Sequence, residues 1–361
     1  MSFAASSPLS AEFRAAVTGV LTGFLEAQRS KLTAISPELD VLVELALDYS
    51  SGGKRFRPAG CFWAFQGSTD ELPDWLLPAS SALDLLHVSA LVHDDLMDCS
   101  ATRRGLPSAH IRLAELHRER GLAGDAERFG GSGAVLLGNL LWNWGDELLR
   151  ASGAPDEALD RAQPYLAALR TEVNAGQYLD VLAGGTDVLS HSPAELLSLV
   201  ETVVEFKTSM YTVTRPLQIG AALAANPQPE SLAAYGRPLG RAFQYRDDIL
   251  GVFGDPEVTG KPAGDDLREG KITALIAHTV ALTDEAGRKL LADNLGDPEL
   301  SAEAVAGLQT LIRDCGALER VEESIQSDYQ ATLGALDTLP LNDTGKEALG
   351  VLARAAVERE S

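Results

Sequence analysis

Between Leu83 and Gly105 the chain reads LDLLHVSALVHDDLMDCSATRRG, and its second half brings three carboxylates, Asp94, Asp95 and Asp98, close to two guanidiniums. Asp94 and Asp98 are a helical turn apart and share a face, while Asp95 sits about 100° round the helix. Like charges at that spacing repel, which favours a bridging cation, and an all-oxygen donor set suits magnesium or calcium better than zinc. Arg103 and Arg104 follow at once. Carboxylates that hold a metal beside paired guanidinium forks are what a polyanion such as diphosphate requires. A solvated acidic helix end followed by basic residues would account for this stretch alone. A second stretch weighs against that: Phe243 to Gly251 reads FQYRDDILG, with Gln244, Asp247 and Asp248 at helical spacing, and Gly260-Lys261 and Asp266 to Lys271 follow. Two acidic clusters far apart in the chain, each followed by basic residues, predict one site built from both halves.

The elements that must carry these residues are helices. Leu83, Leu86, His87, Ala90, Asp94 and Asp98 recur at three- and four-residue spacing, which predicts a helix from Leu83 to Asp98. His87 shares the face of Asp94, although a lone histidine on such a face is more often a bonded core residue. Upstream, Ser10 is an N-cap for a helix to about Ile35 with Phe13, Val17, Val20 and Phe24 as its stripe. A second helix covers roughly Glu38 to Tyr49. After Gly52-Gly53, residues Lys54, Arg55 and Arg57 open a third helix. Cations beside a glycine pair make either an anion cradle or a solvated basic turn. Arg112 to Gly133 predicts a short helix and an exposed glycine-rich loop, ahead of a helix from Ala134 to Leu149. The next helix runs from about Asp160 to Leu182, with Pro164 placed in its first turn. Its Glu172, Gln177 and Asp180 either face a site or bond neighbouring helices. Pro193 opens a helix leading to Lys207, Thr208 and Tyr211, an unusual polar grouping among Val, Leu and Phe. Gly254 to Gly270 reads as a loop, Lys271 as the start of a helix, and Thr283 to Ser361 as three or four amphipathic scaffold helices.

Of the 361 residues 45% are hydrophobic, enough for a sizeable core and too many for disorder. Ala and Leu dominate and β-branched runs are few, which argues for an all-α fold. With no internal repeat, linker or low-complexity block, residues 1–361 read as a single domain. The net charge of −22 disfavours nucleic acid and anionic membrane as partners. It also requires a local basic cluster, with a metal, to attract any diphosphate. The three cysteines are scattered without ligand spacing and read as reduced thiols in a cytoplasmic protein. Met1 to Pro8 does not resemble a signal peptide, and no uncharged apolar run approaches the ~18 residues of a membrane span.

The chain resembles the trans-isoprenyl diphosphate synthases, the polyprenyl synthetase family, and among them the geranylgeranyl diphosphate synthases. The resemblance rests on an ordered set: GGKRFRP at Gly52 to Pro58, HDDLMD with RRG at His93 to Gly105, GQYLD at Gly176 to Asp180, FKTSMY at Phe206 to Tyr211, and FQYRDD through GK at Phe243 to Lys271. It implies a bundle of about a dozen helices around a central cavity, a homodimer, and magnesium, usually three ions. It implies that Lys54, Arg57, His87 and Arg104 bind isopentenyl diphosphate. Asp94, Asp98 and Asp247 would be the metal ligands, with Asp95 and Asp248 orienting them. Arg103, Lys207, Lys261 and Lys271 would hold the allylic diphosphate, while Thr208, Tyr211 and Gln244 direct oxygens toward developing positive charge. Two positions depart from the family pattern. Asn139 stands where Gly-Asp is usual, and Gly251 replaces the last carboxylate of DDxxD. Asp255 could substitute only if the helix continued past Gly251 and Gly254.

Ser89 and Ala90 lie about 6–7.5 Å up the helix from Asp94. Small side chains there leave room for a longer prenyl chain, with Leu86 and Leu83 as a floor, so geranylgeranyl diphosphate is the expected product. Farnesyl or longer products, and a purely packing role for Ser89 and Ala90, remain open. A class I terpene cyclase would share the first acidic motif, but it has no second diphosphate to bind and so no use for GGKRFRP and Arg104. A non-catalytic subunit of a prenyl synthase is the alternative that Asn139 and Gly251 keep in view.

Overall fold

The structure, a computed structural model, describes residues 3–255 and 264–358, so the expectation for Lys261 lies outside the described residues. The described chain is helical apart from one two-residue antiparallel ladder, in agreement with the all-α reading. It divides into two compact units, Met1–Arg161 with Gly220–Ala225, and Ala162–Ile219 with Asn226–Ser361.

The first unit opens with α1 (Ala11–Ile35), capped by Ser10, whose Oγ accepts from the Phe13 N–H at 3.2 Å. Its buried line is Phe13, Val17, Leu21 and Leu25, whereas the expected Val20 and Phe24 are only half-buried. The core follows an i+4 row, the ridge that seats against neighbouring helices. Next come α2 (Asp40–Ser50), α3 (Phe56–Ser68) and α4 (Leu76–Met97). A hairpin of β1 (Thr102–Arg103) and β2 (Leu106–Pro107) leads to α5 (Ala109–Glu119) and α6 (Ala126–Arg150). The expected glycine-rich loop before Ala134 is instead the start of α6, with Asp125 as its N-cap. Gly130 and Gly133 are where α5 lies across it. A Cβ at Gly130 would run into the His110 carbonyl, and one at Gly133 would sit 2.6 Å from Leu113 Cδ1. Close packing here outweighs the low helix propensity of glycine. α4 is the centre of this unit, with α1, α2, α3, α5 and α6 against it. Among the described residues only α4 is long and apolar enough to cross a membrane, and 67% of its apolar window is buried inside the protein.

From the first unit α7 (Asp156–Gly184) continues into the second. Because it begins at Asp156, Pro164 lies two turns inside the helix rather than in its first turn. The carbonyl left without a partner belongs to Asp160, an exposed residue that water can satisfy. α8 (Pro193–Val203) starts with a capping box between Ser192 and Glu195 and runs without a break into a π-helix, Val204–Thr214. α9 (Arg215–Leu223) and α10 (Ala233–Phe253) follow. Beyond a short helix at Asp265–Arg268 come Ala274–Leu282, Glu285–Asn294, Ala302–Asp314, Ala317–Leu336 and Asp343–Val357; the last four are the predicted C-terminal scaffold. α10 is the centre of the second unit, lying against the π-helix, Ala317–Leu336 and Asp343–Val357. Each unit is therefore built round one helix, and each of those helices carries one of the two acidic motifs.

Candidate active site

In the first unit the cationic residues converge. The hairpin turn is Arg104-Gly105, with φ of +53° and +77°, the two positive values that a type I′ turn demands. Holding Arg104 in that region is unfavourable for a side-chain-bearing residue, and its guanidinium supplies the compensation. Nη1 donates to the carbonyls of Tyr49 and Gly52, each at 2.9 Å. The guanidinium lies against the glycine pair, where a Cβ at Gly53 (φ +113°) would stand 2.9 Å from Nη2. Gly52-Gly53 thus admits Arg104, and the GGKRFRP and RRG motifs become one surface.

Within that loop the cations divide by direction. Lys54 is exposed and Arg57 half-buried, while Arg55 is buried with φ of +56°. Arg55 donates to Asp84 of α4, to the Ser50 carbonyl, and to Thr18 Oγ1 at 2.9 Å. Side-chain exposures of 1% and 6% make Arg55–Asp84 a fully buried pair. Such a pair specifies geometry more than it adds stability, yet removing one partner costs about 3–5 kcal/mol because the other charge is stranded. The pair pins the cationic loop to α4 one turn before His87. His87 is held well below the usual histidine range, first by burial and then by Arg57, Arg104, Arg103 and Arg55. It is a neutral imidazole amid cations, able to hydrogen-bond an anion and to take up a proton when one arrives.

The acidic end of α4 is equally ordered. Asp95 is fully buried; its Oδ2 accepts from the Tyr49 hydroxyl at 2.8 Å, and its Oδ1 accepts from Arg103 Nε at 2.8 Å and from Nη2. Both of its oxygens are occupied by protein donors, which suits an orienting carboxylate. Asp94 and Asp98 are half-buried. α4 stops at Met97, and Asp98 is its C-cap, with its N–H on the Asp94 carbonyl at 2.8 Å. Arg103 Nη2 lies 4.0 Å from Asp94 Oδ2. The expectation placed Arg103 on a diphosphate; in the structure its fork is engaged by Asp95. Within the described residues of either unit no three carboxylate, imidazole or thiolate groups gather as a metal centre. Two carboxylates a turn apart nevertheless fit magnesium, which binds through one or two carboxylates and completes its shell with water and phosphate oxygens.

The glycine and serine around α4 explain its seating on α6. Ser89 donates to the Gly138 carbonyl at 2.7 Å, and Leu86 lies over Gly145, where a Cβ would meet its Cδ2 at 2.9 Å. A side chain at Gly138 would occupy the place of the His93 ring. Ser89 is thus engaged in helix packing, while Ala90 is half-buried and Leu83 and Leu86 are buried. Asn139 is exposed.

In the second unit the π-helix carries Lys207, Thr208 and Tyr211. Wide π turns recur at functional sites, and here three glycines let neighbours approach the backbone. A Cβ at Gly176 of α7 would strike the Lys207 amide, one at Gly240 of α10 the Cα of Ser209, and one at Gly236 would lie 2.8 Å from Thr214 Cα. Lys207 Nζ pairs with Asp180 Oδ2 at 2.5 Å. Thr208 Oγ1 donates to Gln244 Oε1 at 2.5 Å, and Gln244 Nε2 donates to Asp248 Oδ1 at 2.8 Å. Burial, then the charges of Asp266 and Asp247, push Asp248 up to about 8 against the lowering effect of Gln244. Tyr211 is buried, and Glu172 forms a bidentate pair with Arg215, the helix-bonding alternative for that residue.

α10 passes Gly251 but ends at Phe253, so it does not continue past Gly254; Gly254 is extended (φ −63°, ψ 149°) and Asp255 is exposed beyond the helix. Asp255 is therefore no helical successor to the missing carboxylate. The space a side chain at Gly251 would fill is taken by the carboxylate of Asp266. Lys271 precedes the helix at Ala274 rather than starting it, and pairs with Glu269 at 2.6 Å. Sequence reasoning assigned nothing to Tyr49, Asp84 or Asp266. Only the fold brings them to the motifs, and no local pattern marks them.

A family model described as polyprenyl synthetase matches residues 40–312, most of the chain. The chain belongs to the polyprenyl synthetase family. Accordingly it is an enzyme, a magnesium-dependent prenyltransferase that condenses isopentenyl diphosphate with an allylic diphosphate. It is 32% identical over 292 residues to a geranylgeranyl diphosphate synthase of Methanosarcina mazei, covering 80% of this chain and 81% of that one. It is 34% identical over 275 residues to a (2E,6E)-farnesyl diphosphate synthase of Mycobacterium tuberculosis, covering 74% and 68%. The crystal structure of a Corynebacterium glutamicum geranylgeranyl pyrophosphate synthase complexed with isoprenyl diphosphate and magnesium superposes with a TM-score of 0.89. It is 36% identical and covers 96% of this chain and 99% of that one.

Proposed function

We propose that this prenyltransferase is a geranylgeranyl diphosphate synthase that works as a cytoplasmic homodimer, with residues 1–361 acting as one functional domain. The observation that carries the substrate assignment is the contact of Arg104 with the Gly52 and Tyr49 carbonyls, which joins Arg104 to the loop that bears Lys54 and Arg57, with the charges of Arg57 and Arg104 acting on the neutral His87. Those four residues hold the diphosphate of isopentenyl diphosphate, a second anion that a cyclase would not need. Asp94, Asp98 and Asp247 would hold magnesium, three ions in all, with Asp95 and Asp248 orienting them. When bound, magnesium neutralises the diphosphate that leaves the allylic carbon.

The protein's own groups do the rest by position. Arg103, Lys207, Lys271 and, outside the described residues, Lys261 add fixed cations around the leaving diphosphate. For Lys207 this means exchanging Asp180 for the substrate. Thr208 gives its proton to Gln244, so what it presents to the site is oxygen lone pairs, as befits a group facing a carbocation. Gln244 and Tyr211 serve the same end. The double bond of isopentenyl diphosphate attacks, the released diphosphate takes the proton, and no protein nucleophile is required.

For the product, the small side chains of Ser89 and Ala90 above Leu86 support chain growth to geranylgeranyl diphosphate; relatives making both farnesyl and geranylgeranyl products are similar to this chain. Exposed Phe129, Val135 and Leu136 on α6 support an apolar subunit interface, and free thiols at Cys61, Cys99 and Cys315 support a reducing compartment. The test is purified protein with magnesium, labelled isopentenyl diphosphate and each allylic primer, with the dephosphorylated products sized. Twenty-carbon product is expected. Fifteen-carbon or longer material as the main product refutes the length assignment, and no turnover by homogeneous protein favours a non-catalytic subunit.

A further inference from the structure

We infer that Tyr49 is a positioning residue for the metal-binding end of α4, acting through Asp95. The inference rests on Asp94 and Asp98 being magnesium ligands. Tyr49 is buried in the last turn of α2 and reaches both motifs with different atoms. Its hydroxyl donates to Asp95 Oδ2 at 2.8 Å, and its carbonyl accepts from Arg104 at 2.9 Å. The hydroxyl also accepts the Ala109 N–H at 2.9 Å, at the start of α5. A hydroxyl that receives from an amide and gives to a carboxylate is polarised in one direction, which strengthens the bond to Asp95.

Asp95 transmits this order. Arg103 holds its other oxygen, and its backbone carbonyl accepts the Ser100 N–H at 2.9 Å, closing the turn that ends the acidic motif. With both oxygens engaged and no exposure to water, the carboxylate has one available orientation. Asp94 and Asp98, on the neighbouring strip of the same turn, inherit that orientation. Without the hydroxyl, Oδ2 is left in a buried place with no donor, and the carboxylate must turn to find one, carrying Arg103 and the last turn of α4 with it. The carbonyl contact to Arg104 is unaffected by any side chain at 49, so the two arms of Tyr49 can be separated.

The experiment uses the full-length protein and Mn2+ as the probe, titrated by electron paramagnetic resonance with and without inorganic pyrophosphate, beside calorimetric titration with isopentenyl diphosphate. Tyr49→Phe is expected to weaken Mn2+ binding up to about tenfold, the low end of the effect of losing a group that supports a metal's ligands from outside. Isopentenyl diphosphate affinity should hold to within the error of the titration. Tyr49→Phe combined with Asp95→Asn should bind Mn2+ no more weakly than Asp95→Asn alone, since the tyrosine acts through that carboxylate. Unchanged Mn2+ affinity in Tyr49→Phe, or additive losses in the double variant, overturns the inference. Should Tyr49→Phe not fold, Asp95→Asn alone still decides, because wild-type Mn2+ affinity there removes the carboxylate through which the tyrosine acts. A wild-type protein that turns over yet binds Mn2+ independently of Asp94 and Asp98 sinks the ligand assignment itself.

Discussion

His87 shows how a single residue acquires a role from its surroundings. Burial first, and then cations on several sides, keep its ring neutral in the folded protein, while in the unfolded chain it titrates at its ordinary value near 6.5. Below that pH the unfolded state binds a proton that the native state does not, so stability falls as pH drops. His87→Gln should therefore flatten the acid limb of a melting-temperature profile taken between pH 7 and 5. A limb as steep as the wild type's would remove His87 from the account. Ala90 poses a different kind of question. Because Ser89 is engaged with the Gly138 carbonyl, Ala90 is the cleaner position at which to fill the path of the chain. Ala90→Phe is expected to move the main product to fifteen carbons, and an unchanged product profile would take Ala90 out of the length decision. Spacing alone left His87 a core residue, and the family resemblance gave it a role. Its environment was not legible, because Arg55 and Arg57 reach it only through helix packing.

At the scale of the element, the π-helix at Val204–Thr214 is what no periodicity announced. Its residues read as an ordinary amphipathic helix, and the wider turn is stabilised by what presses on it. Gly176, Gly236 and Gly240 remove three side chains so that α7 and α10 reach its backbone. Gly240→Ala must push Ser209 away, and overpacking of this kind costs about 1–3 kcal/mol. Since Thr208 is the preceding residue and bonds Gln244 on the same helix as Gly240, turnover should fall together with the melting temperature. A destabilised variant with full turnover per folded molecule would separate the π turn from the chemistry. The same logic governs the early start of α6 and the interior Pro164 of α7. In each, an isolated-segment rule was overridden by packing or by solvent access.

For the whole molecule, the pattern that matters is that α4 centres one unit and α10 the other, each with its own acidic motif. The cationic surface that gathers Arg104 and His87 belongs to the first unit alone. Asp247→Ala is therefore predicted to reduce turnover on the order of a hundredfold, while calorimetric binding of isopentenyl diphosphate is unchanged. Undiminished, magnesium-dependent turnover would free Asp247 from its assignment, and lost isopentenyl diphosphate binding would show that the two motifs do not act separately. A net charge of −22 makes such local concentration of cations necessary, because long-range attraction for substrate is absent.

What the sequence determined by itself was the chemistry: helical spacing sets which carboxylates share a face, and the order of motifs identifies the family and the two diphosphates. Such features are local, written within a turn or two of helix, and so they survive without knowledge of the fold. The tertiary structure decided which atoms hold those groups in place. Tyr49 on Asp95, Asp84 on Arg55, and Asp266 in the space left by Gly251 are all contacts between residues distant in the chain. Contacts of that kind depend on how helices cross, a property that no single helix encodes.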